Sequence, residues 1–211
     1  MQNIYCNLNN TIFLFMVSHE QTVAQMLLKE PVYDILSKGG SKKQITRAVA
    51  KQKAIKYISQ IAEYRSFKKE RLVYSVSHSR DNTVLLASYC PKVFSCGVDI
   101  ETVDVSRRIR PFMIDYLERS SYVLECAVSP LLLSIIVFCC MESIYKTLSA
   151  RWLMTFSIDD YRLEKVSRDF CIFYFVGRNE EIVGKRMMCR YYLHGDTVVA
   201  TTFMNYQFFL L

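Results

Sequence analysis

The sequence predicts an α+β fold, and three observations indicate it. The chain has 211 residues, of which 51% are hydrophobic, and this is enough to bury a substantial core. Only 6 glycines and 4 prolines occur, which excludes collagen-like and low-complexity proteins. The predicted elements run as helix, strands, helices and strands, an order that separates helices from sheets instead of alternating them as βαβ repeats do.

The elements predicted in the first half begin with weak helical periodicity over 20–36 and a stronger signal over 42–64. In the second stretch, apolar residues recur at helical spacing, and the cations between them are Lys42, Lys43, Arg47, Lys51, Lys53 and Lys56. Strand-like runs over 72–77 and 83–89 flank a turn-type cluster at 79–82, which predicts a hairpin. A third strand over 94–101 contains Gly97, where another backbone or a ligand can approach closely.

The second half is predicted to be helical over 107–118 and 131–148. Strands are then predicted over 158–163, 171–176, 187–193 and 197–203. The segment 123–141 is apolar enough to be compared with a membrane span. Because Glu125, Ser129, Pro130 and Ser134 interrupt it, we expect a buried helix and no membrane span.

Charge and cysteine usage bear on partners and compartment. The net charge of +7 favours an anionic partner. Nucleic acid, a phosphorylated cofactor and an acidic protein surface all meet this condition. The 8 cysteines form no C-x-x-C pair, so we do not expect a zinc site. No basic residue precedes the short apolar run 12–17, and the pattern of a secretory signal is therefore missing. We expect reduced, mostly buried thiols in a cytoplasmic protein.

Two carboxylates occupy alternate positions of the third predicted strand. Asp99 and Glu101 leave the strand on the same face, whereas Val98 and Ile100 point to the other face. Two acids on one face repel unless a cation lies between them, and oxygen ligands suit magnesium, which also takes phosphate oxygens. The alternative is that both acids are solvated at the end of the strand.

A charged pair follows the apolar part of the long predicted helix. Glu142 and Lys146 lie one turn apart on the same helical face. An ordinary salt bridge within the helix explains this spacing. Charges that directly follow a buried segment, however, tend to be functional or paired.

The first hairpin strand ends in Ser77, His78 and Ser79. A histidine at this place can bind a phosphate, either as the imidazolium or by donating one N–H, and the serines add hydroxyl donors. The alternative is a structural histidine.

The three motifs together resemble a known family. They are Val76-Ser77-His78-Ser79, Gly97-Val98-Asp99-Ile100-Glu101, and Phe138-x-x-x-Glu142-Ser143-x-Tyr145-Lys146. Their order and spacing resemble 4′-phosphopantetheinyl transferases of the large two-lobed type. The Glu-Ser-x-Tyr-Lys form is most similar to the branch that activates surfactin, enterobactin and other nonribosomal peptide synthetases.

The resemblance implies two pseudo-symmetric lobes, each a small antiparallel sheet packed with a long helix. Residues 1–105 would form the lobe with the basic helix and the first two motifs, and 106–211 the lobe with the third motif and a strand-rich end. The implied magnesium ligands are Asp99, Glu101 and Glu142. The implied coenzyme A ligands are Ser77, His78, Lys146 and, from the early helix, Arg47.

The implied enzyme is cytoplasmic and monomeric. A serine of an apo acyl or peptidyl carrier protein attacks the β-phosphate of coenzyme A, and 3′,5′-ADP leaves. Glu142 would accept the serine proton and Lys146 would stabilise the leaving diphosphate oxygens. The branch implies nonribosomal peptide, siderophore, polyketide or antibiotic biosynthesis, with no nucleic acid as partner.

One departure from the family motif concerns Met141, which stands where the family usually has lysine. Losing a charge-assisted contact with phosphate costs about 1.5 to 3 kcal/mol, so a weaker enzyme is expected. Met141 also favours an alternative, a non-catalytic module that binds coenzyme A or a carrier protein. A second alternative is a nucleic-acid binder using the basic helix, although the cations are spread along the chain.

Overall fold

The computed structural model describes residues 5–7, 12–18, 48, 52, 55–56, 72–104, 111–152 and 157–205. The chain divides into two compact units, Met1–Pro91 and Lys92–Leu211. Within the described residues each unit has one β-sheet, and both longer helices lie in the second unit. The predicted α+β class is confirmed.

The sheet of the first unit has four antiparallel strands in the order β1-β2-β4-β3. The strands are β1 (Tyr5–Asn7), β2 (Ile12–Ser18), β3 (Val73–His78) and β4 (Asn82–Ser88). The predicted hairpin is therefore confirmed as β3 and β4. Sequence patterns did not predict β1 and β2, because the short run 12–17 is uniformly apolar and lacks the alternation of a half-buried strand.

The predicted basic helix over 42–64 is described at four residues, and all four are helical. Ala48 and Ile55 are half-buried, whereas Gln52 and Lys56 are exposed, as expected for an amphipathic helix. The rest of that helix, with Arg47, and the stretch 20–36 lie outside the described residues.

The sheet of the second unit has six strands in the order β5-β10-β9-β8-β7-β6. The strands are β5 (Val93–Thr102), β6 (Val123–Leu124), β7 (Tyr161–Val166), β8 (Phe170–Phe175), β9 (Arg186–His194) and β10 (Thr197–Asn205). Because β6 runs parallel to β7, the sheet is mixed where an antiparallel sheet was expected. A 3₁₀ turn, Ile158–Asp160, takes up the start of the predicted strand 158–163.

Two helices accompany this sheet, α1 (Pro111–Arg119) and α2 (Pro130–Trp152). Helix α2 packs against β5, β10 and β9, and α1 packs against α2. The window Pro130–Ser149 has a mean hydropathy of 1.8 and is long and apolar enough to cross a membrane, but 61% of it is buried inside the protein. Its apolar surface therefore packs in the core of the second unit.

Strand β5 carries the Gly97–Glu101 motif and belongs to the second unit. It pairs with β10, near the end of the chain, from Val93 to Thr102. The units divide at Pro91 and Lys92, whereas the lobes expected from the resemblance meet at 105 and 106. Strand β5 forms its ladder with a strand about half a chain away.

The described cysteines are free thiols. Cys96, Cys139, Cys140, Cys171 and Cys189 are buried, and Cys90 and Cys126 are half-buried. The expectation of mostly buried cysteines is confirmed for these seven residues.

Candidate functional site

The site residues of the second unit lie where α2 crosses β5. A Cβ atom added at Gly97 would lie 2.9 Å from the Thr147 nitrogen, and closer still to the Ser143 carbonyl oxygen. The backbones of helix and strand therefore touch at this point, which only glycine permits. The expectation that another backbone approaches Gly97 is confirmed.

Small polar side chains hold the helix on the strand. The Ser143 hydroxyl donates to the Gly97 carbonyl at 2.9 Å and lies 2.9 Å from the Thr202 hydroxyl of β10. The Ser95 hydroxyl donates to the Thr147 carbonyl at 2.6 Å. All of these residues are buried. Because buried hydrogen bonds are directional, this contact fixes the position of α2 along β5.

Ser143 and Thr147 were given no role from the sequence. The available signal is that two small polar residues lie one turn apart in the second half of a helix whose first half is almost wholly apolar. In a buried helix such residues mark a close contact, since a polar group left unpaired there would be costly.

The second and third motifs meet in an ion pair. The Lys146 ammonium lies 2.7 Å from the Asp99 carboxylate, and it also donates to the Val98 carbonyl at 3.1 Å. The Asp99 side chain is 7% exposed and that of Lys146 is 27% exposed. The spacing of α2 predicted a partner for Lys146 within the helix, at Glu142; the neighbouring strand also provides one, Asp99.

The other two predicted acids border the same contact. Glu101 follows Asp99 on the same face of β5, and Glu142 precedes Lys146 by one turn of α2; both are half-buried. Burial raises the pKa of the Cys139 thiol well above its ordinary value, and the nearby charges of Asp99 and Glu101 raise it further. Both acids of β5 share the strand face of Gly97, which is the side against α2.

Three carboxylates are the donor set that a hard divalent cation such as magnesium prefers. No group of three or more His, Cys, Asp and Glu side chains among the described residues stands close enough to hold a metal ion. The cation beside Asp99 is the Lys146 ammonium. Carboxylates suit magnesium chemically, but as these three side chains are arranged they do not form a site that fits the ion.

A pocket of about 170 Å³ opens beside Glu142. Its lining is mainly aromatic and apolar and consists of Phe112, Phe138, Met141, Glu142, Tyr145, Ser157, Ile158 and Tyr161. Burial, and then the charges of Asp160 and Glu142, raise the pKa of the Tyr161 hydroxyl. A neutral phenol therefore lies near the Glu142 carboxylate. Met141 is 6% exposed and forms part of this lining.

Ser77 and His78 lie in the first unit, at the end of β3. Ser77 is buried and His78 is half-buried. The His78 Nδ1 atom lies 2.8 Å from the hydroxyl of Thr83, its direct partner on β4. This bond orients the imidazole beside the turn of the hairpin.

The structure thus brings Asp99 and Lys146 together at one strand–helix contact, with Glu101 on the same strand and Glu142 on the same helix. Ser77 and His78 lie together on a separate hairpin, and Arg47 lies outside the described residues. Comparison with known proteins adds no relative, because no protein-family model and no curated protein matches the chain. The chemistry of the site therefore rests on its own residues.

Proposed function

We propose that the protein is a magnesium-dependent 4′-phosphopantetheinyl transferase. It transfers the 4′-phosphopantetheine group of coenzyme A to a serine of an apo acyl or peptidyl carrier protein. We further propose that it acts in the cytoplasm, as a monomer of two pseudo-symmetric lobes, in nonribosomal peptide, siderophore, polyketide or antibiotic biosynthesis. The observation that carries the proposal is the 2.7 Å contact of Lys146 with Asp99, since it joins two of the three motifs in one site.

Both proposed substrates are anionic, which agrees with a net charge of +7. Coenzyme A presents a 3′-phosphate and a diphosphate, and carrier proteins present acidic helices. In the proposal, His78, Ser77 and Arg47 bind the 3′-phosphate. Lys146 binds the diphosphate, since its side chain is 27% exposed at the strand–helix contact.

The transfer would break one bond and form one. The serine hydroxyl oxygen attacks the β-phosphorus, the bond from that phosphorus to the bridging oxygen breaks, and 3′,5′-ADP leaves with the electron pair. Glu142 accepts the serine proton, directly or through water. Glu142 is half-buried and lines an apolar pocket.

Asp99, Glu101 and Glu142 would hold the magnesium ion. When bound, magnesium neutralises the negative charge of the diphosphate. Lys146 adds a second positive charge at the leaving oxygens, where charge grows during transfer.

One observation favours a second candidate, a non-catalytic module that binds coenzyme A or a carrier protein. Met141 is buried in the pocket wall, so it contributes no cation for phosphate. This candidate keeps the binding residues and predicts no transfer.

The deciding experiment measures the intact mass of an apo peptidyl carrier protein after incubation with the protein, magnesium and coenzyme A. We expect the gain of one phosphopantetheine group, and a fall in rate of at least about 100-fold in Asp99→Asn and Glu142→Gln. Glu164→Gln is the matched control, because Glu164 pairs with exposed Arg186 on the sheet and should not affect transfer.

No gain of mass with any carrier protein, together with retained binding of coenzyme A, would favour the binding module. A fatty-acid carrier protein modified far faster than a peptidyl carrier would contradict the assignment to peptide synthesis. Gel-shift titration with DNA tests the nucleic-acid alternative. If that alternative is right, the protein should bind DNA more tightly than it binds coenzyme A.

A further inference from the structure

We propose that the pocket beside Glu142 binds a small organic cation whose nitrogen carries alkyl groups. The pocket measures about 170 Å³, and its walls come from α1, α2, the 3₁₀ turn and the start of β7. Such a ligand is neither coenzyme A nor a carrier protein. The site therefore goes beyond the proposed function and does not rest on it.

Aromatic rings make up half of the pocket lining, and they belong to Phe112, Phe138, Tyr145 and Tyr161. The rings of Phe112 and Phe138 lie 6.1 Å apart and are inclined by 61°, so they form two walls instead of one flat surface. The Tyr161 ring packs against Phe175 at 5.6 Å, which holds it in place. The face of an aromatic ring attracts a cation that lies within about 6 Å of its centre. Several rings around one small pocket therefore favour a positively charged ligand.

The lining combines buried and exposed side chains. Tyr161 and Met141 are 2% and 6% exposed, whereas Phe112 is 44% exposed. A ligand can therefore enter beside Phe112 and reach a part of the pocket that is shielded from water. The attraction between a cation and a ring is stronger where water is excluded.

The charge of the lining agrees with a cation and not with an anion. Among the described residues that line the pocket, Glu142 is the charged one. Glu142 has further interactions of its own, so the rings must supply most of the attraction and the carboxylate adds to it. An anion would meet this carboxylate and the negative faces of the rings, and the described lining offers no cation to pair with it.

The small number of acceptors favours an alkylated nitrogen. A primary ammonium has three N–H donors and is strongly hydrated, and burying it against rings and a thioether would leave donors unpaired. A trimethylammonium group has no N–H and presents its methyl groups to the rings. A cavity of about 150 Å³ accommodates benzene, so a volume of 170 Å³ is sufficient for a trimethylammonium group, which is of similar size.

The first test measures the binding of three probes to the wild-type protein by saturation-transfer NMR. Choline carries the trimethylammonium group, dimethylbutanol has the same shape with carbon in place of nitrogen, and ethanolamine keeps the charge without the methyl groups. Choline should bind about tenfold more tightly than either of the others. If dimethylbutanol binds as tightly as choline, the pocket is merely apolar and the proposal is overturned. Equal binding of ethanolamine would overturn it as well.

The second test locates the site with variants. Phe138→Leu removes one ring and keeps an apolar side chain, so choline should bind about fivefold more weakly while dimethylbutanol binds as before. Glu142→Gln should weaken choline binding less, by about twofold, because the rings supply most of the attraction. Phe170→Leu is the matched control, since Phe170 lies on β8 and does not line the pocket.

Choline binding that is unchanged in Phe138→Leu, or that falls equally in Phe170→Leu, would contradict this location. Thermal melting of each variant checks folding, and the comparison of the three probes does not depend on any variant.

The outcomes also separate the two proposals, because the probe measurements use neither coenzyme A nor a carrier protein. If wild type transfers phosphopantetheine but binds choline no more tightly than dimethylbutanol, the cation site is wrong and the proposed function stands. If wild type prefers choline and transfers nothing, the cation site stands and the transferase is wrong.

Discussion

The two regions that carry motif residues differ in how they are joined to the core. His78 stands at the end of a hairpin strand, half-buried, with a hydrogen bond to Thr83 on the adjacent strand. Asp99 and Lys146 lie at a contact whose backbones touch and whose small polar side chains are all buried. Substitution in the hairpin should therefore change ligand binding with little loss of stability. Substitution at the strand–helix contact should change ligand binding and stability together.

The largest effect is expected for Gly97→Ala. The added Cβ would overlap the backbone of α2 at Ser143 and Thr147, and such overpacking lowers the free energy of unfolding by roughly 3 kcal/mol. Urea denaturation measures the change. Gly195→Ala is the control, because Gly195 has a φ of 58° and nothing lies within 4 Å of its added Cβ. In this variant the free energy of unfolding should fall by about 1 kcal/mol, from backbone strain alone. Equal stability of the two variants would contradict the close contact.

The next largest effect is expected for the Lys146–Asp99 ion pair, compared with the Lys165–Glu125 pair of the same length. Lys146→Ala should lower the free energy of unfolding by about 2 kcal/mol, because it leaves Asp99 buried without its cation. Lys165→Ala should cost no more than about 0.5 kcal/mol, since both side chains of its pair are about a third exposed or more. Chemical denaturation at the same ionic strength measures both. Similar losses in the two variants would show that Asp99 is better solvated than its burial indicates.

A smaller effect concerns alkaline pH. Burial raises the pKa of the Cys96 thiol on β5 from 9.0 to about 12. Between these values the unfolded chain loses the proton and the folded chain keeps it, so stability is retained below pH 9 and falls as pH rises toward 12. Between pH 7 and pH 10, the free energy of unfolding of Cys96→Ala should fall by about 1.4 kcal/mol less than that of wild type.

Urea denaturation at the two pH values measures this difference. Ser95→Ala is the matched control, because it removes a neighbouring buried hydroxyl that does not titrate. An unchanged pH dependence in Cys96→Ala would show that water reaches this face of β5.

The smallest effect on stability is expected in the hairpin. His78→Ala removes one half-buried hydrogen bond and should lower the free energy of unfolding by no more than about 1 kcal/mol. The affinity for coenzyme A, measured by calorimetry, should fall about tenfold through loss of a phosphate ligand. Thr83→Val removes the same hydrogen bond but keeps the imidazole, so it separates the two effects. A loss of stability as large as that of Lys146→Ala would remove the contrast between the regions.

Much of the secondary structure was predictable because its signals are local. The turn cluster at 79–82 marked the β3–β4 hairpin, and the apolar run after Pro130 marked α2. The strands β1, β2 and β6 were missed. Two of them, β1 and β6, have only 3 and 2 residues, which is too short for any periodicity, and β2 is uniformly apolar along 12–17.

The sequence by itself determined the α+β class, the buried character of α2, and the faces shared by Asp99 with Glu101 and by Glu142 with Lys146. Each of these follows from the repeat of a strand or a helix, which consecutive residues specify. The tertiary structure alone decided that β5 pairs with β10, that α2 rests on Gly97, and that Lys146 pairs with Asp99. These pairings depend on which distant segments exclude water from one another, and no local pattern encodes that choice.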